Sequence, residues 1–407
     1  MRLRRTARST ASWSERPDRS GLLGSGRRIY LDYGGFAPVD PRVLAVMTPF
    51  LEGWVGNPSA LHTLGQEARE SLSAARAKVG RLVGGRPESV VFTSSGTEAN
   101  NLAIRGIALR GPGRHVITSA IEHPSVLAPC RDLIKAGFEV SFLPVDVEGR
   151  VAPADVRAAL RPDTCLVTIG AANAEIGVVQ PWRGIAAITE AAGVPFHVDG
   201  VGAVGRVPLA AEADGIDLLT IAANDLYGPP GVGALWVRPG LRPVPQILGG
   251  GQEDGLRSGA ENLAGVVGLG VAAELASRDG AAEAARLAAL RDQLIDGLAR
   301  ACPAARLSGP RESRLAHHVS VTVGGVKGES LILALDLIGI SAATGSACAT
   351  LTGEPSHVLR ALGLDAREAA GSLCVTLGRW TRPEDVQTFL AELPPIVDRL
   401  RALSPLS

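Results

Sequence analysis

From Ile29 to Val237 the chain alternates short β-branched runs with amphipathic segments of helical period, and few folds accept that rhythm. Strands are predicted over 90–94, 115–119, 139–144, 165–170, 195–199, 218–222 and 232–237. Helical patterns fall between them, over 98–108, 124–136, 153–160 and 182–192. Strands separated by helices must run mostly parallel, with helices covering both faces of the sheet. The rhythm breaks in the Gly- and Pro-rich stretch 239–259. Two long helices are expected next, over 261–277 and 281–301, and then a compact α+β unit. The expected organisation is an Arg-rich, disordered tail over 1–28, a large domain over 29–258, and linking helices with a small C-terminal domain over 259–407.

A chain of 407 residues with 46% hydrophobic content has room for both domains. Its formal net charge is zero, which gives no footprint for nucleic acid or an acidic membrane surface. No apolar run approaches the roughly 20 residues that span a bilayer. The tail carries eight arginines without the apolar core of a targeting signal. Five cysteines, Cys130, Cys165, Cys302, Cys348 and Cys374, form neither a CxxC pair nor a Cys/His ligand pattern. No metal site or disulfide framework is therefore expected, and a cytoplasmic location is the default. Of 41 basic residues only Lys78, Lys135 and Lys327 are lysine.

Many short motifs in one order resemble the cysteine desulfurases, class V of the aminotransferase-type fold that binds pyridoxal phosphate (PLP). They include Tyr30-Leu31-Asp32-Tyr33, Gly56-Asn57-Pro58-Ser59, the turn Ser94-Ser95-Gly96-Thr97-Glu98, and Glu122-His123. Further along come Glu175-Ile176-Gly177, His197-Val198-Asp199, Tyr227-Gly228-Pro229, Arg257-Ser258-Gly259, Gly345-Ser346-Ala347-Cys348 and Leu377-Gly378-Arg379. The resemblance implies an α/β architecture of PLP-transferase fold type I, with a large, mainly parallel seven-stranded sheet domain and a smaller α+β C-terminal domain.

The same resemblance assigns roles. Gly96 and Thr97 lie at a strand-to-helix turn suited to a phosphate. His123 corresponds to the imidazole stacked on the cofactor ring, and Asp199 to the carboxylate that keeps the ring nitrogen protonated. Cys348 corresponds to the loop thiol that carries the persulfide, and Asn224 and Arg379 are candidate substrate-binding residues.

Departures from the pattern gather at the same pocket. The lysine that forms a Schiff base with PLP corresponds to Asp225, and neighbouring cofactor contacts correspond to Ala174, Gly202, Ala222, Asn224 and Ala260. The arginine for the substrate carboxylate falls on Cys374. Each change removes a donor or a charge, and a charge-assisted hydrogen bond contributes roughly 1.5–3 kcal/mol. On that count no cofactor is expected. The pocket would be reused for PLP-independent chemistry, with Asp225, His123 and Cys348 as its reactive groups. A second reading is a non-catalytic partner that dimerises and relays persulfide through Cys348. A third is a weak desulfurase with PLP held non-covalently. All three imply a homodimer, working with a small-molecule substrate or a sulfur-transfer partner.

Overall fold

The computed structural model describes residues 28–345 and 355–403. In chain order the strands are β1 (Ile29–Tyr30), β2 (Val90–Thr93), β3 (His115–Ser119), β4 (Glu139–Leu143), β5 (Thr164–Gly170), β6 (Phe196–Asp199), β7 (Leu218–Ala222), β8 (Gly233–Val237), β9 (Ala305–Leu307), β10 (His318–Val323), β11 (Ile340–Ser341) and β12 (Ser372–Thr376). The main helices are α1 (Pro41–Glu52), α2 (Thr63–Leu82), α3 (Gly96–Ala108), α4 (Pro124–Lys135), α5 (Pro153–Ala159), α6 (Trp182–Ala192), α7 (Leu263–Ala301) and α8 (Gly328–Leu337). Two short helices, His357–Ala361 and Ala366–Ala370, and a long terminal one, Pro383–Leu403, complete the described chain.

Seven strands form one sheet in the order β2-β8-β7-β6-β5-β3-β4. All its pairings are parallel except those of β8, which runs antiparallel to both β2 and β7. Continuous apolar runs such as Leu218–Ala222 are buried along their whole length because helices cover both faces of the sheet. Around β6 and β7 the core includes Ile169, Phe196, Val198, Ile221 and Trp236, none more than 1% exposed. In an open sheet of this kind, ligands meet the crevice beyond the carboxyl ends of the strands.

The second sheet, β12-β10-β9, is antiparallel and has its own core, with Val319, Leu373, Val375 and Phe389 fully buried. Residues before the large sheet also belong here: β1 pairs with β11, and Leu31 sits in this second core. The expected boundary at 29 therefore separates sequence, while the first strand packs with the C-terminal unit.

The two expected helices over 261–277 and 281–301 are one, α7, of 39 residues. Gly280 does not break it. Its α-carbon lies against Gly205, where an added Cβ would come 2.9 Å from the backbone oxygen. Close packing, rather than a turn, accounts for the glycine. Strands of two or three residues, β1, β9 and β11, have no period long enough to read from sequence. Of the expected tail only Arg28 is described, its guanidinium pairing with Asp336 and donating to the Ser341 hydroxyl at 3.1 Å; residues 1–27 and Cys348 lie outside the described residues.

Candidate active site

A cavity of about 640 Å³ opens beyond the strand ends of the large sheet. Five strand exits line it: Ser95–Thr97 after β2, Ile121–His123 after β3, Ala172–Glu175 after β5, Asp199–Gly202 after β6 and Ala222–Asp225 after β7. The last stretch of the far wall comes from the C-terminal unit, through Ala343, Gly345, Pro355, His357, Cys374 and Thr376. The volume is in the range of small-molecule and cofactor sites.

The β2–α3 turn is built by capping. The Ser95 hydroxyl accepts from Glu98 N–H at 3.2 Å, and the Glu98 carboxylate reaches back to Ser94 N–H at 2.7 Å. Gly96 starts the helix under Val201, and a Cβ there would come 2.8 Å from that side chain. Gly96 and Thr97 thus present the positive end of a 13-residue helix to the cavity. Asp199 is fixed by two donors: Asn100 Nδ2 at 2.8 Å on one oxygen and Val201 N–H at 3.0 Å on the other. Asn100 Oδ1 is buried without a hydrogen-bond partner among the described residues. His123 caps α4, its Nδ1 accepting from Ser125 N–H at 3.1 Å, and its ring lines the cavity.

Asp225 ends the β7 exit. Arg206 Nη1 lies 3.3 Å from one carboxylate oxygen, and Asn224 Nδ2 donates to the other at 3.0 Å. Burial pushes this carboxyl up to about 6, the neighbouring Asp199 adding to the effect and Arg206 opposing it. Asp225 also faces a second, small cavity of about 40 Å³ with Arg206, Tyr227, Glu283, His317 and Arg379.

Sequence reasoning grouped Gly96, Thr97, His123, Asp199, Asn224 and Asp225, and all six line the large cavity. Arg379 does not. Its guanidinium is held by Asp40 at 2.6 Å and Glu283 at 2.9 Å, stacked 4.2 Å over the Tyr227 ring. Those carboxylates come from distant parts of the chain, so no local signal could reveal the pairing. Cys348 falls between Gly345 and Pro355, outside the described residues.

Three further buried groups, each lying in a motif or at a position named above, have surroundings that only the structure shows. Glu122 takes hydrogen bonds from the Ser119 hydroxyl at 2.5 Å and Gly170 N–H at 2.9 Å, and burial pushes it up to about 7. Glu175 is also pushed up to about 7 by burial, with the Ser356 hydroxyl opposing. Cys374 lies 3.3 Å from His318 Nε2, its thiol pushed well up by burial. Among the described residues no cluster of His, Cys, Asp and Glu is arranged to hold a metal ion.

Residues 29–389 match the aminotransferase class-V family. Cysteine desulfurase IscS 1 of Archaeoglobus fulgidus is 47% identical over 379 residues, 93% of this chain and 99% of that protein. This chain belongs to the cysteine desulfurases of class V. A second desulfurase, IscS of Dictyoglomus turgidum, is 44% identical over 93% of this chain and 97% of its own length. Among solved structures, a NifS-like protein superposes with a TM-score of 0.86 at 34% identity, covering 92% of this chain and all of that one. Another NifS-like protein, from Rickettsia africae, gives 0.83 at 28% identity, covering 91% of this chain and all of its own. The fold is that of the fold type I enzymes, as the motifs implied.

Membership of this family overturns the expectation that no cofactor is held, because cysteine desulfurases are PLP-dependent. That expectation counted the donors lost from the pocket. It gave too little weight to what remains, a helix N-terminus, a doubly anchored Asp199 and the His123 ring around a cavity of cofactor size. The residues present fit the group. No described helix is long and apolar enough to cross a membrane.

Proposed function

We propose that this chain is a cysteine desulfurase that holds PLP without a covalent link, Asp225 standing where the linking lysine would be. One observation carries this reading: a carboxylate, not an amine, ends the β7 exit into the cavity, and among the described residues no lysine lines that cavity. Lys78 is paired with Glu274 at 2.8 Å, Lys135 ends α4, and Lys327 caps α8.

When bound, PLP supplies an electron sink beside the reacting carbon of an amino-acid substrate. The α3 N-terminus, with Gly96 and Thr97, would hold the phosphate through its backbone N–H groups. Asp199 would hold a proton on the ring nitrogen, and Asn100 keeps the carboxylate in place. His123 offers the ring a flat face. Asp225 takes the proton-transfer duty, since a carboxyl raised to about 6 exchanges a proton near neutral pH. Asn224 lines the cavity and orients Asp225. In sequence Cys348 falls between two cavity-lining residues, Gly345 and Pro355, and is assigned as the thiolate that would attack the substrate sulfur. The S–S bond would form as the Cβ–S bond breaks and its electron pair returns to carbon, which takes a proton as the product leaves. A small molecule or partner protein would then take the sulfur on.

The working form is a homodimer. Leu51, Trp54 and Leu61 are 67%, 92% and 86% exposed within one short stretch, an apolar surface that a second copy would cover. A reducing cytoplasm suits the free thiols of Cys130, Cys165, Cys302 and Cys374.

The test is borohydride reduction of PLP-loaded protein followed by mass analysis. The wild type is expected to show a visible PLP band and to gain no cofactor mass after reduction. The Asp225→Lys variant is expected to fix PLP on residue 225. Cofactor mass on any lysine of the wild-type chain would overturn the reading.

A further inference from the structure

A chain of hydrogen bonds runs behind the cavity wall from Asp199 to His123, and its two ends fix its direction. At one end the Asp199 carboxylate accepts from Asn100 Nδ2 at 2.8 Å. The same nitrogen lies 2.8 Å from the Ser125 hydroxyl oxygen, and that oxygen lies 2.7 Å from His123 Nδ1. At the other end the Ser125 backbone N–H points at His123 Nδ1 from 3.1 Å. Asn100 and Ser125 are only 1% and 7% exposed, which leaves water little room to compete for these bonds.

A backbone N–H can only donate, so His123 Nδ1 must present a lone pair to it. Asn100 Nδ2 gives one hydrogen to Asp199 and the other to Ser125, so the Ser125 hydroxyl is free to donate its own to Nδ1. The amide cannot turn over, because its oxygen would then face the Asp199 carboxylate. That constraint accounts for Asn100 Oδ1, which stays buried without a partner among the described residues.

With two donors on Nδ1, the neutral ring carries its hydrogen on Nε2. Nε2 has no hydrogen-bond partner among the described residues, and the ring lines the open cavity. In this form Nε2 has no lone pair with which to accept a proton, and releasing the hydrogen it has would leave an imidazolate. Protonating Nδ1 instead would break two hydrogen bonds, one of them the cap of α4. His123 is thus held in a form that is neither acid nor base toward the cavity.

We propose that Ser125 is a positioning residue that locks His123 as its Nε2–H tautomer, so that His123 serves the cavity as a fixed hydrogen-bond donor and takes no part in proton transfer. The ligand atom that meets Nε2 must then be an acceptor. This deepens the desulfurase reading by leaving Asp225 as the proton-transfer group, and it rests on that reading only for the reaction itself.

The test is NMR of the full chain with its histidine nitrogens isotopically labelled, at mildly alkaline pH, where a free imidazole is neutral. His123 is assigned by the loss of its signals in His123→Gln. The wild type and Ser125→Thr, which keeps the hydroxyl, are expected to carry hydrogen on Nε2 alone. Ser125→Asp replaces the side-chain donor with an acceptor and suits the first turn of a helix. It should move the hydrogen to Nδ1 in most molecules. A second measurement is carboethoxylation by diethyl pyrocarbonate, which attacks a ring lone pair. It should be about tenfold faster at His123 in Ser125→Asp, where the Nε2 lone pair would face the cavity. Hydrogen on Nδ1 in the wild type would overturn the proposal, as would Nε2–H retained in folded Ser125→Asp, or equal modification rates. Neither measurement uses PLP, so a failure of the desulfurase reading would leave the lock standing. A failure of the lock would leave that reading intact, with His123 available as a base.

Discussion

Glu122 and Glu175 line the same cavity, are similarly buried, and are both raised to about 7. Their surroundings differ. Glu122 sits on the sheet side, where a strand end gives it a hydroxyl and a backbone N–H. Glu175 sits where the large domain meets the C-terminal unit, with one oxygen unpaired among the described residues. The contrast separates a wall completed by the protein from an end that a ligand would complete.

The largest expected effect is on Glu122, whose ordinary value is 4.5. Its neutral carboxyl stabilises the fold in full below that unfolded-state value, and the contribution is lost as pH rises through about 7. Glu122→Gln stays neutral throughout, so its stability relative to wild type should rise between pH 4.5 and 7. The rise should be about 3 kcal/mol, read by urea unfolding across that range. A flat difference would mean that Glu122 is not held neutral, and the two carboxyls would then have little in common.

Next comes Asp199→Asn, which keeps the shape of the completed wall but removes its charge. PLP affinity should fall by about 2 kcal/mol, or some thirtyfold, in an absorbance titration. Unchanged affinity would remove Asp199 from the cofactor site.

The smallest effect concerns the unfinished end. Ser356 supports Glu175 and also caps the helix His357–Ala361, its oxygen accepting from Leu359 N–H at 3.2 Å. Ser356→Ala should cost about 1 kcal/mol in unfolding, chiefly from the lost cap. A loss several times larger would show Glu175 to be more dependent on protein donors than its orphaned oxygen indicates.

Much of this site was legible before folding was considered. Asp199, Asp225 and the Ser95–Thr97 turn stand at the ends of strands whose apolar runs are easy to read, and parallel sheets bring such ends to one edge. Arg379 stands apart from that cavity for the opposite reason. Its partners Asp40 and Glu283 are hundreds and tens of residues away, and only tertiary contact shows that its charge is already occupied. The error about the cofactor was one of weighing: losses in a motif are visible one by one, whereas a preformed cavity is a property of the assembled walls.

The sequence alone determined the sheet and the order of its elements, because strand and helix periods are local and β-branched runs bury themselves wherever helices flank them. It also determined that a carboxylate, Asp225, follows β7 by three residues. Only the tertiary structure decided which charges are spent and which remain free. Arg206 reaches Asp225, Asn100 reaches Asp199, and nothing described reaches Glu175 Oε1. Hydrogen bonds act over about 3 Å, and sequence separation carries almost no information about contacts at that range.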